Sequence, residues 1–172
     1  MISARYSLSG ARLAIGRFGL CALVVVQAAA WGGEFNEANG LAIKGYDSVA
    51  YFTDNKPVLG RGEFATVFKG STFHFSSAAN RDAFIASPEK YAPQYAGYCA
   101  FGTTRGYKAD IDPSAFSVVD GKLYLNYNAD VRTMWNKDPA EFIRKADEKW
   151  PEVEKTTKIM KYATANRKAA RM

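Results

Sequence analysis

Apolar and polar residues alternate with a period of two at two places in the chain. Phe64, Thr66 and Phe68 run out of phase with Ala65 and Val67, and Phe73 and Phe75 flank His74, which predicts a hairpin from Glu63 to Ser76. Its connection reads as Gly70-Ser71, a Gly-first pair suited to a type II′ turn. AFSVV and KLYLNY around Asp120-Gly121 predict a second hairpin with a type I′ turn. Helical signals surround these strands. Asp47 is placed to cap a short turn from Val49 to Phe52, and Ser77 to cap a helix over 78–86 with Phe84 and Ile85 on its apolar side. Ser87-Pro88 starts another turn, and Asn128 caps a helix to about Trp135. Asp138-Pro139-Ala140-Glu141 is a capping box, opening a helix to about Lys149 that buries Phe142, Ile143, Ala146 and Trp150. Residues 92–113, with Pro93, Gly97, Gly102, Gly106 and Pro113, read as a long ordered loop. No strand–helix–strand alternation supports a parallel sheet. The expected class is α+β: a small antiparallel sheet built from two hairpins, several short helices packed on it, and a C-terminal helical segment. Eleven Phe and ten Tyr supply the apolar area for one core.

The two ends differ from this body. Residues 1–17 carry Arg5, Arg12 and Arg17 and no acid, an apolar run spans Phe18 to Ala30, and Ala28-Ala29-Ala30 offers small residues for cleavage before Trp31. That pattern predicts a signal peptide over 1–30 and a periplasmic or secreted protein; an uncleaved anchor is the alternative. Gly- and Asn-rich 31–42 reads as a leader, 43–150 as the domain, and 151–172 as a basic, initially helical tail. The chain is formally +6, and removing the three arginines of 1–30 leaves +3. Residues 151–172 hold six Lys/Arg and two Glu, or +4, so the body from 31 to 150 is −1. A nearly neutral body argues against nucleic acid. The tail is a solvated basic segment or a contact for an anionic membrane surface or acidic protein partner.

Only one cysteine follows the signal region. Cys99 cannot form an internal disulfide, and His74 is the only histidine. A thiolate with an imidazole, helped by a tyrosine or Met134, suits copper or zinc, which makes Cys99 and His74 the candidate metal ligands. The competing readings are a buried apolar thiol and a hydrogen-bonded strand histidine. Arg105 and Lys108, close in sequence, are cations suited to lowering the Cys99 pKa. Tyr91, Tyr95, Tyr98 and Tyr107 are packing residues or the lining of a small-ligand pocket. Asp47, Asp110, Asp112 and Asp120 have no metal-loop spacing.

KGYDSVAYFTDNKPVLG, FHFSSAANRDAFIASPEKYAPQYAGYCA and DGKLYLNYN together resemble the YHS domain-containing proteins, in their small exported bacterial branch, over roughly residues 40–150. The resemblance implies a metal-handling superfamily in which cysteines act as ligands. It places those cysteines at Ala50, Ser76 and Asn80 of this chain, none of which is a good ligand for a soft metal. The leading expectation is an exported binding or accessory module with a thiophilic metal such as copper. The runner-up is a metal-free protein-interaction or small-ligand domain. A thiol-dependent enzyme comes third, because the sequence offers no orienting group and no resolving cysteine.

Overall fold

In a computed structural model, residues 33–160 are described. The predicted signal peptide and residues 161–172 of the basic tail lie outside them.

Order begins earlier than the expected leader allows. β1 (Glu37–Ala38) and β2 (Leu41–Ala42) pair antiparallel around Asn39-Gly40, both at positive φ. Asn-Gly favours this left-handed pair sterically, as a type I′ connection requires. After a turn at Ile43–Gly45 comes α1 (Ala50–Thr53). The first predicted hairpin is β3 (Arg61–Phe68) and β4 (Ser71–Phe75). Its connection is Lys69-Gly70, with φ of 47° and 78°, and not Gly70-Ser71. Ser71 is needed inside: it is fully buried and its Oγ accepts from the Phe35 N–H at 3.3 Å. β2 adds to β4 in parallel, giving a four-stranded sheet in the order β1-β2-β4-β3.

α2 (Ala78–Ala86) starts at Ser77, whose side chain accepts from the Asn80 N–H, and α3 (Pro88–Tyr91) carries Pro at its first turn. The expected long loop over 92–113 is instead built. It contains a turn at Gln94–Gly97, α4 (Ala100–Thr103), β5 (Lys108–Ala109) and the start of β6 (Asp112–Val119). β6 and β7 (Lys122–Asn126) form the second predicted hairpin, with Asp120 and Gly121 at φ of 49° and 71°. α5 (Ala129–Trp135) and α6 (Pro139–Val153) begin at Asn128 and Asp138 as expected. α6 runs through Pro151 to Val153. The described residues beyond it are not helical: Ile159–Met160 form β8, which pairs in parallel with β5.

The class is α+β. The two hairpins do not share one sheet; each lies in its own. The reason is that each has its own apolar cover. Phe73 and Phe75 of β4 pack with Phe35, Val49 and Phe84, with ring centroids 4.9–5.1 Å apart in the Phe73–Phe84, Phe35–Phe73 and Phe75–Phe84 pairs. Leu123 and Leu125 of β7 pack with Ile43, Tyr51, Tyr95, Cys99 and Trp135. Helix α1 sits between the clusters, giving Val49 at its start to one and Tyr51 to the other.

Candidate functional site

Asp47 is the most densely bonded side chain among the described residues. The Ile43–Gly45 turn and the α1 start bring it under the β4–α2 junction, where it is fully buried. One oxygen, Oδ1, accepts from the backbone N–H groups of Val49 (2.9 Å) and Ala50 (3.2 Å). The other, Oδ2, accepts from Ser76 N–H (2.8 Å), Ser76 Oγ (2.7 Å) and Asn80 Nδ2 (2.7 Å). No cation faces it among the described residues. A buried carboxylate without an ion pair is costly, and only several hydrogen bonds to the charged form offset that cost. Ala50, Ser76 and Asn80 therefore meet at one carboxylate, although they lie in three different elements or junctions.

Cys99 and His74 are not brought together. Cys99 is fully buried in the cluster around β7. Its Sγ accepts from Gly102 N–H at 3.4 Å and lies 3.9 Å from Asn126 Oδ1, which also accepts from Phe101 N–H. Burial pushes the thiol pKa up, outweighing the backbone N–H groups that work downward. The cations expected to activate it are engaged elsewhere. Arg105 lies over the Phe101 ring, and Lys108 lies over Tyr98 while donating to the carbonyls of Glu154 and Thr156. His74 is in the other sheet, half-buried, with its Phe neighbours turned into the opposite cluster. The residue before β3 lies close against it: a Cβ on Gly60 would come within 2.6 Å of the His74 Cβ. Met134 is on α5 and 39% exposed. Among the described residues no group of three His, Cys, Asp or Glu is placed to hold a metal ion.

The tyrosines separate. Tyr91 packs edge-on to Phe52 and Tyr107 lies against Gly102. Tyr95 and Tyr98 line two adjoining hollows of about 230 and 440 Å³ that share Glu34 and Glu154. The Tyr95 hydroxyl donates to Asp147 at 2.8 Å and its ring lies 5.6 Å from Trp150, which forms part of the wall. Tyr95 and Ala96 hold left-handed backbone (φ of 52° and 50°), and the Ala96 carbonyl accepts from Asn36 N–H at 2.7 Å. Burial first, then Glu37 and Asp110, pushes the Tyr98 hydroxyl pKa up, so it stays a neutral donor. The sequence reading missed Glu34, Glu154 and Trp150 as a wall; they are far apart in sequence and meet only because α6 packs beside the Gln94–Gly97 turn.

The fold and this geometry define a small α+β module with a sealed polar centre and an aromatic-walled groove. Residues 49–95 match the family model of the YHS domain, and the chain carries that domain there. No curated protein and no solved structure matches the chain. The YHS domain is associated with metal binding, copper in particular. The residues present do not fit a soft metal. The Ala50 side chain has no ligand atom, both Asp47 oxygens are occupied, and the one thiol among the described residues is in the core.

Proposed function

We propose that this chain is an exported binding module whose ligand is a small organic cation with an aromatic or apolar body, held in the groove beside Tyr95 and Tyr98. One observation carries this reading: two adjoining hollows with aromatic walls share a pair of carboxylates that form no ion pair among the described residues. Glu34 and Glu154 make no ion pair among the described residues, whereas Lys69 is paired with Glu89 and Lys155 with Glu152. Lys108 at the second hollow feels the Glu154 charge, yet its Nζ donates to the Glu154 and Thr156 backbone carbonyls and forms no ion pair with the carboxylate. An ammonium group would sit against Glu34 and Glu154, and its apolar body against Trp150 and Tyr95.

Trp150 reports on occupancy. Titrating the full chain with phenethylamine should change tryptophan fluorescence saturably, and phenylacetate and phenethyl alcohol should not. The Glu34→Gln/Glu154→Gln variant should weaken the amine by about tenfold or more, from two charge-assisted contacts. No saturable response to any amine, or an equal response in the double variant, ends the proposal.

The export half rests on residues 1–30 and is tested separately. Sequencing the N-terminus of protein recovered from the periplasm or medium should begin at Trp31. A chain that remains cytoplasmic with its first thirty residues intact refutes export.

A further inference from the structure

We infer that the Asp47 carboxylate does here, with hydrogen bonds, the cross-linking that a bound metal would do at the same place, and that this domain folds and keeps its structure without metal. This inference is independent of the groove, since it rests on other residues.

A structural metal ties together segments that cannot otherwise hold one another, and it needs several donors converging on one point. The same demand for convergence is met around Asp47. Oδ1 gathers the N-terminal N–H groups of α1, and Oδ2 gathers the end of β4 through Ser76 and the first turn of α2 through Asn80. Asn80 Nδ2 also lies 3.3 Å from Ser76 Oγ, so the two side chains are in mutual contact as well as in contact with the carboxylate. Three separate pieces of chain are fixed by one side chain. All five donors are N–H or O–H groups pointing inward, a set that suits an anion and repels a cation. A divalent ion could enter only if these donors turned away and Asp47 gave up its bonds. The polarity of the centre is thus the inverse of a metal site: the negative group is in the middle and the donors surround it.

Two consequences separate this from a vacant metal site. First, wild-type structure should be indifferent to metal. Second, two of the positions are geometrically ready for ligands, because the Ser76 and Asn80 side chains touch each other and the same carboxylate, whereas Ala50 meets it through its backbone N–H. Replacing these two by cysteines beside Asp47 would bring two thiolates and a carboxylate to a common point, a donor set that takes Zn(II) or Co(II) with water completing the shell.

The experiment uses the full chain expressed in medium supplemented with copper and zinc. Elemental analysis after dialysis should find well under about one-tenth of an equivalent of either metal, and EDTA should leave the melting temperature unchanged. The variant Ser76→Cys/Asn80→Cys, reduced and anaerobic, should gain the near-ultraviolet thiolate-to-metal absorption of bound Co(II) and melt higher with Co(II) than without. Should the double variant not fold, Asn80→Cys, which retains both Ser76 bonds to Asp47, should still show thiolate-to-Co(II) absorption. Asp47→Asn, which puts an NH₂ group among donors, should lower the melting temperature by about 10 °C or more. Ser76→Ala, which removes one donor, should lower it only by a few degrees. A stoichiometric metal in the wild type whose removal lowers the melting temperature overturns the inference. So does a folded cysteine variant with no Co(II)–thiolate band, or an Asp47→Asn protein as stable as wild type.

Discussion

The fate of Cys99 allows a direct kinetic test. Its sulfur has no solvent exposure, and burial pushes its pKa upward. A free cysteine of pKa about 8.5 is already only about one-tenth thiolate at pH 7.5. Cys99 in the folded chain must therefore react through opening of the cluster around β7, in which Tyr95, Leu125 and Trp135 are its fellow members. If that opening costs about 5 kcal/mol, the low end of domain stabilities, the reactive fraction is about 10⁻⁴. The assay is release of thionitrobenzoate from an aromatic disulfide probe at 412 nm. It uses the Cys21→Ser chain, in which Cys99 is the remaining thiol, and compares it native, in 6 M guanidinium, and against glutathione. Native labelling should be slower than the unfolded chain by about a thousandfold or more, and should speed up with sub-denaturing urea. Cys99→Ala should be folded but weakened by about 1–2 kcal/mol, because it removes the sulfur that accepts from Gly102 N–H and leaves a small void. Native labelling within about tenfold of glutathione would refute the reasoning, since it would mean an accessible, ionised thiol, and the metal or enzyme readings would return.

Two other outcomes follow from backbone and titration. Gly97 is at φ 71°, and a Cβ there would come 2.7 Å from Ile43 Cγ2 and 3.2 Å from Pro93 Cγ; Gly121 is at the same φ with open space around it. Gly97→Ala should thus cost about 2–4 kcal/mol in urea unfolding and Gly121→Ala only about 1, and equal costs would remove the steric argument. Burial, then the charges of Asp147 and Asp120, pushes the Tyr124 hydroxyl up to about 12, and burial first also raises Tyr51 and Tyr95 well above their usual value. The folded state holds these protons more tightly than the unfolded one, so their stabilisation is complete below pH about 10 and is lost as pH climbs from 10 through 12. Absorbance at 295 nm should show these three tyrosines ionising only as the fold melts; their smooth titration near pH 10 in a folded chain would refute this.

Much of the fold was legible because its signals are local. Ser77, Asn128 and Asp138 each cap the helix they precede, and Asp120-Gly121 makes the turn its residue types favour. Asn39-Gly40 is an equally strong hairpin signal, masked by the Gly and Asn around it, which give residues 31–42 the composition of a linker. The first hairpin turn was misplaced by one residue because Lys69 adopts positive φ, which its residue type does not advertise. Strand partnership was not legible. Whether β4 and β7 share a sheet depends on which helix covers which face, and that is tertiary. The candidate site divides along the same line. Asp47 was recognisable as a cap, and Ala50, Ser76 and Asn80 as ligand positions without ligands, yet their meeting at one carboxylate is a long-range fact. Cys99 and His74 drew attention as rare residues, and rarity carries no information about distance.

The joint at α1 bears on where this module can be cut. The family match stops at residues 49 and 95, which include Phe73, Phe75 and Phe84 but omit Phe35, Ala42 and Asp47. An excised segment with those limits would lose the Phe35 ring that meets Phe73 edge to face and the carboxylate that holds β4, α1 and α2 together. It would also bare the faces of Tyr51 and Tyr95 that belong to the neighbouring cluster. The unit that similarity recognises is therefore smaller than the unit that can fold, and any graft, truncation or fusion of this domain should keep its junctions outside Phe35 and Val153.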